Sequence, residues 1–137
     1  MSDMIMTGKN TYVLEFSLGD GRYCINISHV EEIVDADEEI TPVPNAEDQV
    51  VGVVDLRGET TTIMDPTVSL GLDSDTGGRR IIVLSDFDGT GLLIDDVHQV
   101  LEVDDDDLDD STATESTHGV IRHEERFVVW IEPGVVV

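Results

Sequence analysis

Residues Val50 to Pro66 read VVGVVDLRGETTTIMDP, and their pattern returns near the end of the chain. A shift of 67 positions carries Gly52 to Gly119, Val53 to Val120, Met64 to Ile131, Asp65 to Glu132 and Pro66 to Pro133. The same shift holds upstream, taking Val30 to Val97, Ile33 to Val100 and Val34 to Leu101, so ISHVEEIV and IDDVHQVL read as equivalent elements. An ungapped offset kept across separated segments marks an internal duplication, two supersecondary units of one kind that bury their apolar faces together. The halves differ where the first carries Leu56, Arg57 and Gly58 and the second carries His123, Glu124 and Glu125. A basic residue and a turn glycine present in the first half are missing from the second.

Outward from that stretch the pattern is of short strands. Residues 1–9 lack periodicity and are expected to form a flexible N-terminus. From Thr11, Tyr12, Leu14 and Phe16 alternate with Val13, Glu15 and Ser17; Gly19, Asp20 and Gly21 supply a tight turn, and Tyr23, Ile25 and Ile27 resume the alternation as a hairpin. Val30, Ile33 and Val34 then fall at helical spacing behind Ser28, which predicts a short helical kink capped by that serine. Pro42 and Pro44 predict an extended edge segment, because each removes a ladder donor. Two strands follow, residues 50–56 and 60–64, joined at Arg57-Gly58, and a polar linker runs to Gly78. The second half repeats the plan: a strand at 80–84, a turn at Asp88-Gly89, a strand from Leu92 into a second kink, an acidic loop at 104–110, and strands at Val120 and 127–131. Strands this short, rich in Val, Ile and Thr, predict an all-β chain of two small barrels, lobe 1 at about 11–72 and lobe 2 at about 79–133 of a single domain spanning 10–137.

Charge narrows the partners. The 137 residues hold 31 acidic against 7 basic side chains, for a net charge of -24, and Lys9 is the single lysine. A surface this acidic repels nucleic acid and anionic membranes. Self-repulsion of that size is tolerable where salt screens it, since the Debye length is about 3 Å at 1 M. The composition therefore points to a salt-rich cytosol such as that of a halophilic archaeon. Cys24, the single cysteine, lies in an apolar alternation and reads as a small core residue, with no disulfide available to it. No long apolar run and no signal-peptide pattern appears, so a cytoplasmic chain without direct membrane insertion is expected.

Several apparent motifs lose to their context. IIVLSDFDGTG at 81–91 resembles the nucleophile motif of haloacid-dehalogenase-type phosphatases, with Asp86 as nucleophile and Asp88 as general acid. Such an enzyme needs a downstream lysine and a parallel α/β sheet; no lysine follows Lys9 and no crossover helices are apparent. The run from Asp73 begins like a calcium loop but has Leu84 where the twelfth-position glutamate belongs. His29, His98, His118 and His123 have no metal-ligand spacing with Cys24. No catalytic residue, metal or cofactor is expected, and a binding module remains.

GVVDLRGETTTIMDPTVSLGL, Gly52 to Leu72, is similar to the signature of the CheW family of chemotaxis coupling proteins, in which a Gly-Val-x-Asn-Leu-Arg-Gly turn precedes an apolar strand, an aspartate and a Leu-Gly. Phe16-Ser-Leu-Gly, the run from Tyr23 to Val34, and GLLIDDVHQVL from Gly91 match it in order, so that the resemblance extends from Thr11 to Glu132. Asp55, Thr62 and Pro66 stand where the family usually has Asn, Pro and Leu. The resemblance implies two SH3-like five-stranded β-barrels packed together. It further implies an adaptor between the regulatory domain of the histidine kinase CheA and the cytoplasmic tips of chemoreceptors, in arrays at the inner membrane face. Receptor binding would fall to Val30, Glu32, Ile33, Gly52 and Arg57, and kinase binding to Val97, Val100 and Gly119. A regulatory module of a non-chemotactic kinase system is the alternative, with the phosphatase behind it.

The charge balance yields one expectation about stability. In dilute buffer the carboxylates repel one another with few cations between them, so structure is lost there and regained in concentrated potassium chloride. Circular dichroism and thermal melting across a salt series would check this, and a melting temperature indifferent to salt would refute it.

Overall fold

The computed structural model describes residues 11–36, 40–72, 80–87, 89–104, 107–109, 111 and 117–137. The expected flexible N-terminus at 1–9, the linker at 73–78 and Asp88 lie outside the described residues. In chain order the strands are β1 (Thr11–Leu18), β2 (Gly21–Asn26), β3 (Val30–Asp35), β4 (Val50–Leu56), β5 (Glu59–Met64), β6 (Arg80–Leu84), β7 (Thr90–Ile94), β8 (Asp96–Val103), β9 (Leu108–Asp109), β10 (Thr117–His123) and β11 (Arg126–Ile131). They form one six-stranded sheet, β8-β1-β2-β11-β10-β9, and one five-stranded sheet, β3-β6-β7-β5-β4. These are the walls of two SH3-like barrels, A and B, and the sixth strand of barrel A is the two-residue β9.

The duplication holds to the residue in its best-marked part, the β4–β5 hairpin. β4 and β5 shifted by 67 positions give the bounds of β10 and β11. The register break at Val50/Gly52 returns at Thr117/Gly119. The parallel contact Thr62↔Thr90 of β5 with β7 returns as Val129↔Tyr23 between β11 and β2. The turn returns too, although its sequence does not. Arg57 and Gly58 have φ of 55° and 84°, and Glu124 and Glu125 have φ of 51° and 67°. Positive φ at both central residues is the two-residue hairpin turn whose twist suits its strands, so the second half keeps the turn with two glutamates and accepts their steric cost.

The barrels do not coincide with the sequence lobes. Barrel A closes the β1–β2 hairpin of the first half with β8 to β11 of the second, and barrel B closes the β6–β7 hairpin of the second half with β3 to β5 of the first. The halves 11–72 and 79–133 are therefore interleaved. Three cores follow from this exchange. Val13, Cys24, Leu101, Val103, Ile121 and Val128 fill barrel A, while Val54, Ile63 and Ile81 fill barrel B. A third and larger cluster, including Leu14, Phe16, Ile25, Ile82, Leu84, Leu92 and Ile131, lies between them. A side chain such as Phe16, wholly buried there, contributes about 1.5–3 kcal/mol.

Neither expected helical kink forms as a helix of the anticipated extent. Residues Ile27–His29 make one 3-10 turn, capped by Asn26, whose Oδ1 accepts from the Ser28 amide at 2.9 Å, and Val30 already begins β3. VEEIV satisfies both periods, and pairing with β6 selects the extended one, which suits β-branched side chains. At the corresponding place in the second half, only Asp95 separates β7 from β8. A helical turn absent from the sequence reading occurs at Pro66–Ser69, where the Asp65 carboxylate accepts from the Thr67 amide at 3.0 Å. The proline segment joins barrel B through Thr41, which exchanges two backbone hydrogen bonds with Val53.

Glu15 is wholly buried in β1, which has apolar neighbours on both faces. Arg22 donates to its carboxylate at 2.6 Å, Gln99 at 3.0 Å and Arg126 at 3.2 Å. Burial pushes this carboxyl upward, but the hydrogen bonds from Gln99 and Arg22 and the charges of both arginines outweigh it and hold it below the usual glutamate range. A depressed folded-state pKa contributes stability that is complete above the unfolded value, about 4.3, and is lost as pH falls through the folded one. Chemical denaturation titrated from neutral pH into acid should show this loss. Glu15→Gln should flatten that limb, and an unchanged acid slope would count against the ionised cluster.

Candidate functional site

The sheet order leaves barrel B with β3 and β4 as its two edges, and a charged contact spans the gap between them. Arg57, in the turn after β4, places Nη2 2.7 Å from Oε2 of Glu32 on β3. No strand ladder joins these two edges, and the ion pair is a side-chain contact across the seam between them. Its strength is bounded by exposure: the Arg57 side chain is 79% exposed and that of Glu32 26%. Such a pair contributes at most about 1 kcal/mol and is screened by salt, so it positions more than it stabilises. The second half has no such pair, since Gln99 stands at the position of Glu32 and Glu124 at that of Arg57.

Along β3 exposure alternates. Val30 packs on the core between the barrels, Glu32 and Val34 are half-buried, and Ile33 is 36% exposed. The helical reading placed Val30 and Ile33 together on one face; in the strand Val30 serves the core and Ile33 meets solvent. Gly52 is buried in β4 with φ 157°, and a Cβ there would collide with the Thr41 carbonyl. Its part is the close approach of two backbones rather than a side-chain contact. Gly119 holds the matching break in β10, with φ 135°. Val97 and Val100 lie on β8, which pairs with β1 alone at the edge of barrel A; Val97 packs on the inter-barrel core and Val100 is 52% exposed. The structure thus brings Glu32 and Arg57 together beside Ile33, and sets Val100 apart on the other barrel.

Two residues of the phosphatase-like motif, Ser85 and Asp86, make local contacts. His29 Nδ1 lies 2.5 Å from Asp86 Oδ2, and Ser85 Oγ lies 2.8 Å from the Ser28 carbonyl and 3.1 Å from Asp86 Oδ1. In this trio the aspartate touches both neighbours. It fastens the loop after β6 to the turn before β3. Cys24 is wholly buried, and burial followed by the nearby charge of Glu15 pushes its thiol far up, which leaves it unreactive. Among the described residues no group of three or more His, Cys, Asp or Glu side chains is placed to hold a metal.

Sequence reasoning missed Glu15 with Arg22, Gln99 and Arg126. Its single trace is a β1 with apolar residues at both Val13 and Leu14, which implies burial of both faces and hence of Glu15.

With this geometry in place, the comparisons with known proteins agree. Residues 12–137 match the model of the CheW-like domain. The chemotaxis protein CheW of Rhizobium meliloti (strain 1021) is 30% identical, over 93% of this chain and 87% of that protein. The chemotaxis protein CheW of Thermotoga maritima is 23% identical, over 90% of this chain and 85% of that one. The crystal structure of the scaffolding protein TtCheW from Thermoanaerobacter tengcongensis superposes with a TM-score of 0.78 at 23% identity, covering 90% of this chain and 84% of that chain, and so shares the fold. The chain belongs to the CheW-like domain family.

Proposed function

We propose that this protein is a non-catalytic chemotaxis adaptor that couples chemoreceptor tips to the regulatory domain of the histidine kinase CheA. Membership of a family whose relatives are chemotaxis CheW proteins supports the adaptor role. The observation that carries the receptor side is the Arg57–Glu32 pair across the seam of barrel B with exposed Ile33 beside it. An amphipathic receptor helix would set an apolar side chain on Ile33, with Arg57 available to a carboxylate of the helix through its planar fork, while Val30 anchors β3 from the core side. Gly52 supports that surface by letting the Thr41 backbone close on β4. The kinase would dock on the other barrel, along β8, where Val100 offers apolar surface on an edge strand and Val97 supports it from beneath, with Gly119 shaping β10 of the same barrel. A cytoplasmic position at the inner face of receptor arrays follows from those partners; none of the described helices is long and apolar enough to cross a membrane.

The test is a double-mutant cycle on the seam pair, measured in concentrated salt against a receptor-tip helix and against the kinase regulatory domain. Arg57→Ala should change global stability by no more than about 1 kcal/mol while weakening receptor binding by a larger factor. Glu32→Ala added to it should cost little more, because both remove one contact. Strictly additive losses, or a loss of kinase binding with receptor binding intact, would overturn this assignment.

A further inference from the structure

The buried Glu15 cluster takes one residue from each of four successive strands of barrel A: Gln99 on β8, Glu15 on β1, Arg22 on β2 and Arg126 on β11. Two of its contacts, Gln99 and Arg126, cross the joints at which strands of the second half meet the hairpin of the first. The registers identify the counterpart of each residue in barrel B. Glu15 faces Gln99 and Cys24, as Val83 faces Glu32 and Gly91, so Val83 is the counterpart of Glu15 and Glu32 that of Gln99. By the same matching Gly89 corresponds to Arg22, and Glu59 to Arg126. Barrel B therefore has no buried charge at this position, but a cleft of about 540 Å³ bordered by Glu31, Glu59, Thr60, Val83 and Gly89.

These counterparts define what a wrong assembly would meet. The connection Ile27–His29 is too short to return β3 alongside β1 within one chain, but since the two hairpins and the two strand sets are built alike, the β1–β2 hairpin could close on β3 and β5 of another copy. In that arrangement the buried Glu15 would face the carboxylates of Glu32 and Glu59 with one arginine, its own Arg22, to offset them. The converse pairing, the β6–β7 hairpin with β8 and β11, would set Arg126 against Val83 and Gly89, which offer no carboxylate. Burying a charge without its partner is strongly unfavourable, and salt screens a buried contact far less than an exposed one. Buried polar groups are best attested in this role, the choice of register and partner.

We propose that Glu15, recognised by Gln99 and Arg126, is the specificity determinant that makes the β1–β2 hairpin accept β8 and β11 as neighbours and reject β3 and β5 of a second copy. The consequence is that each barrel combines strands of both halves and that pairing of like halves is disfavoured.

The experiment refolds the full chain from denaturant in concentrated potassium chloride over a wide range of protein concentration, and measures mass by light scattering. The wild-type chain should return as a monomer throughout. Arg126→Glu gives the second half the residue that the first half carries at position 59, and should abolish the monomer in favour of oligomers or aggregate; adding Glu15→Gln should restore it. The apolar pair Glu15→Ile with Arg126→Leu should fold but return a mixture whose dimer share rises with concentration. Monomeric refolding of Arg126→Glu, failure of Glu15→Gln to rescue it, or a strictly monomeric apolar pair would each overturn the proposal. Rescue is the outcome that a purely packing role for Arg126 does not produce.

Discussion

The architecture depends on two short parallel contacts, β2 with β11 and β5 with β7. Each joins a hairpin of one half to a strand of the other, over two or three paired positions. Parallel neighbours cannot be linked by a tight turn and are less stable per residue than antiparallel ones, so these joints are where the fold has least local support. Side chains compensate at both. Around the first lies the buried carboxylate of Glu15 with its arginines; beside the second, Gly91 lets Ile81 and Ile63 approach the β7 backbone. The core between the barrels takes residues from both sheets, so neither barrel is complete in its packing without the other. Folding must then bring together segments far apart in the chain before much apolar surface is covered, which is a slow, high-contact-order route.

Much of this was legible in the sequence, and the part that was not has a physical cause. The offset of 67 positions predicted equivalent strands, and β4 with β10 and β5 with β11 agree in bounds and in register. A repeat identifies which segments are alike, but its alternation of side chains does not by itself say which pair with which. The interleaving was illegible for that reason. β3 was misread because Val30, Ile33 and Val34 fit a helical stripe as well as a strand, and tertiary pairing with β6 decided the matter. Glu124-Glu125 hid a turn, since positive φ in two glutamates is set by the strands on either side rather than by local preference. Of the site, Arg57 with Glu32 could be anticipated because both vanish together in the second half. Glu15 has no such counterpart to compare, because Val83 in its place is an ordinary strand residue.

The economy of positive charge is informative in a chain of net charge -24. Five arginines are described, and four sit against carboxylates: Arg22 and Arg126 on Glu15, Arg57 on Glu32, and Arg80 on Asp35 at the β3–β6 joint. The fifth, Arg122, lies 5.9 Å over the ring of Phe127. The four paired arginines are not spread evenly over the acidic surface, as would serve to dilute its repulsion. They cluster where strands of different halves meet or between the two edges of a barrel. Salt can substitute for lysine in screening a surface, but a diffuse ion atmosphere cannot select one strand neighbour over another.

Duplicated halves also explain why a single small domain can present two different faces. If the repeats were identical, each partner would find two equivalent sites, and an adaptor would cross-link like with like. Here the scaffold is common and the decisions are local. The first half keeps Glu32 and Arg57, and so has an ion pair across its seam beside Ile33; in the second, Gln99 turns instead to Glu15 and the β8 edge is left with Val100 outward. One substitution pair, Glu32 and Arg57 against Gln99 and Glu124, thus does two things. It removes the seam contact from barrel A, and it frees an uncharged amide to serve the buried carboxylate that a glutamate at that place would repel. The difference between the two surfaces and the buried contact of Glu15 consequently share a residue position, 32 in the first half and 99 in the second.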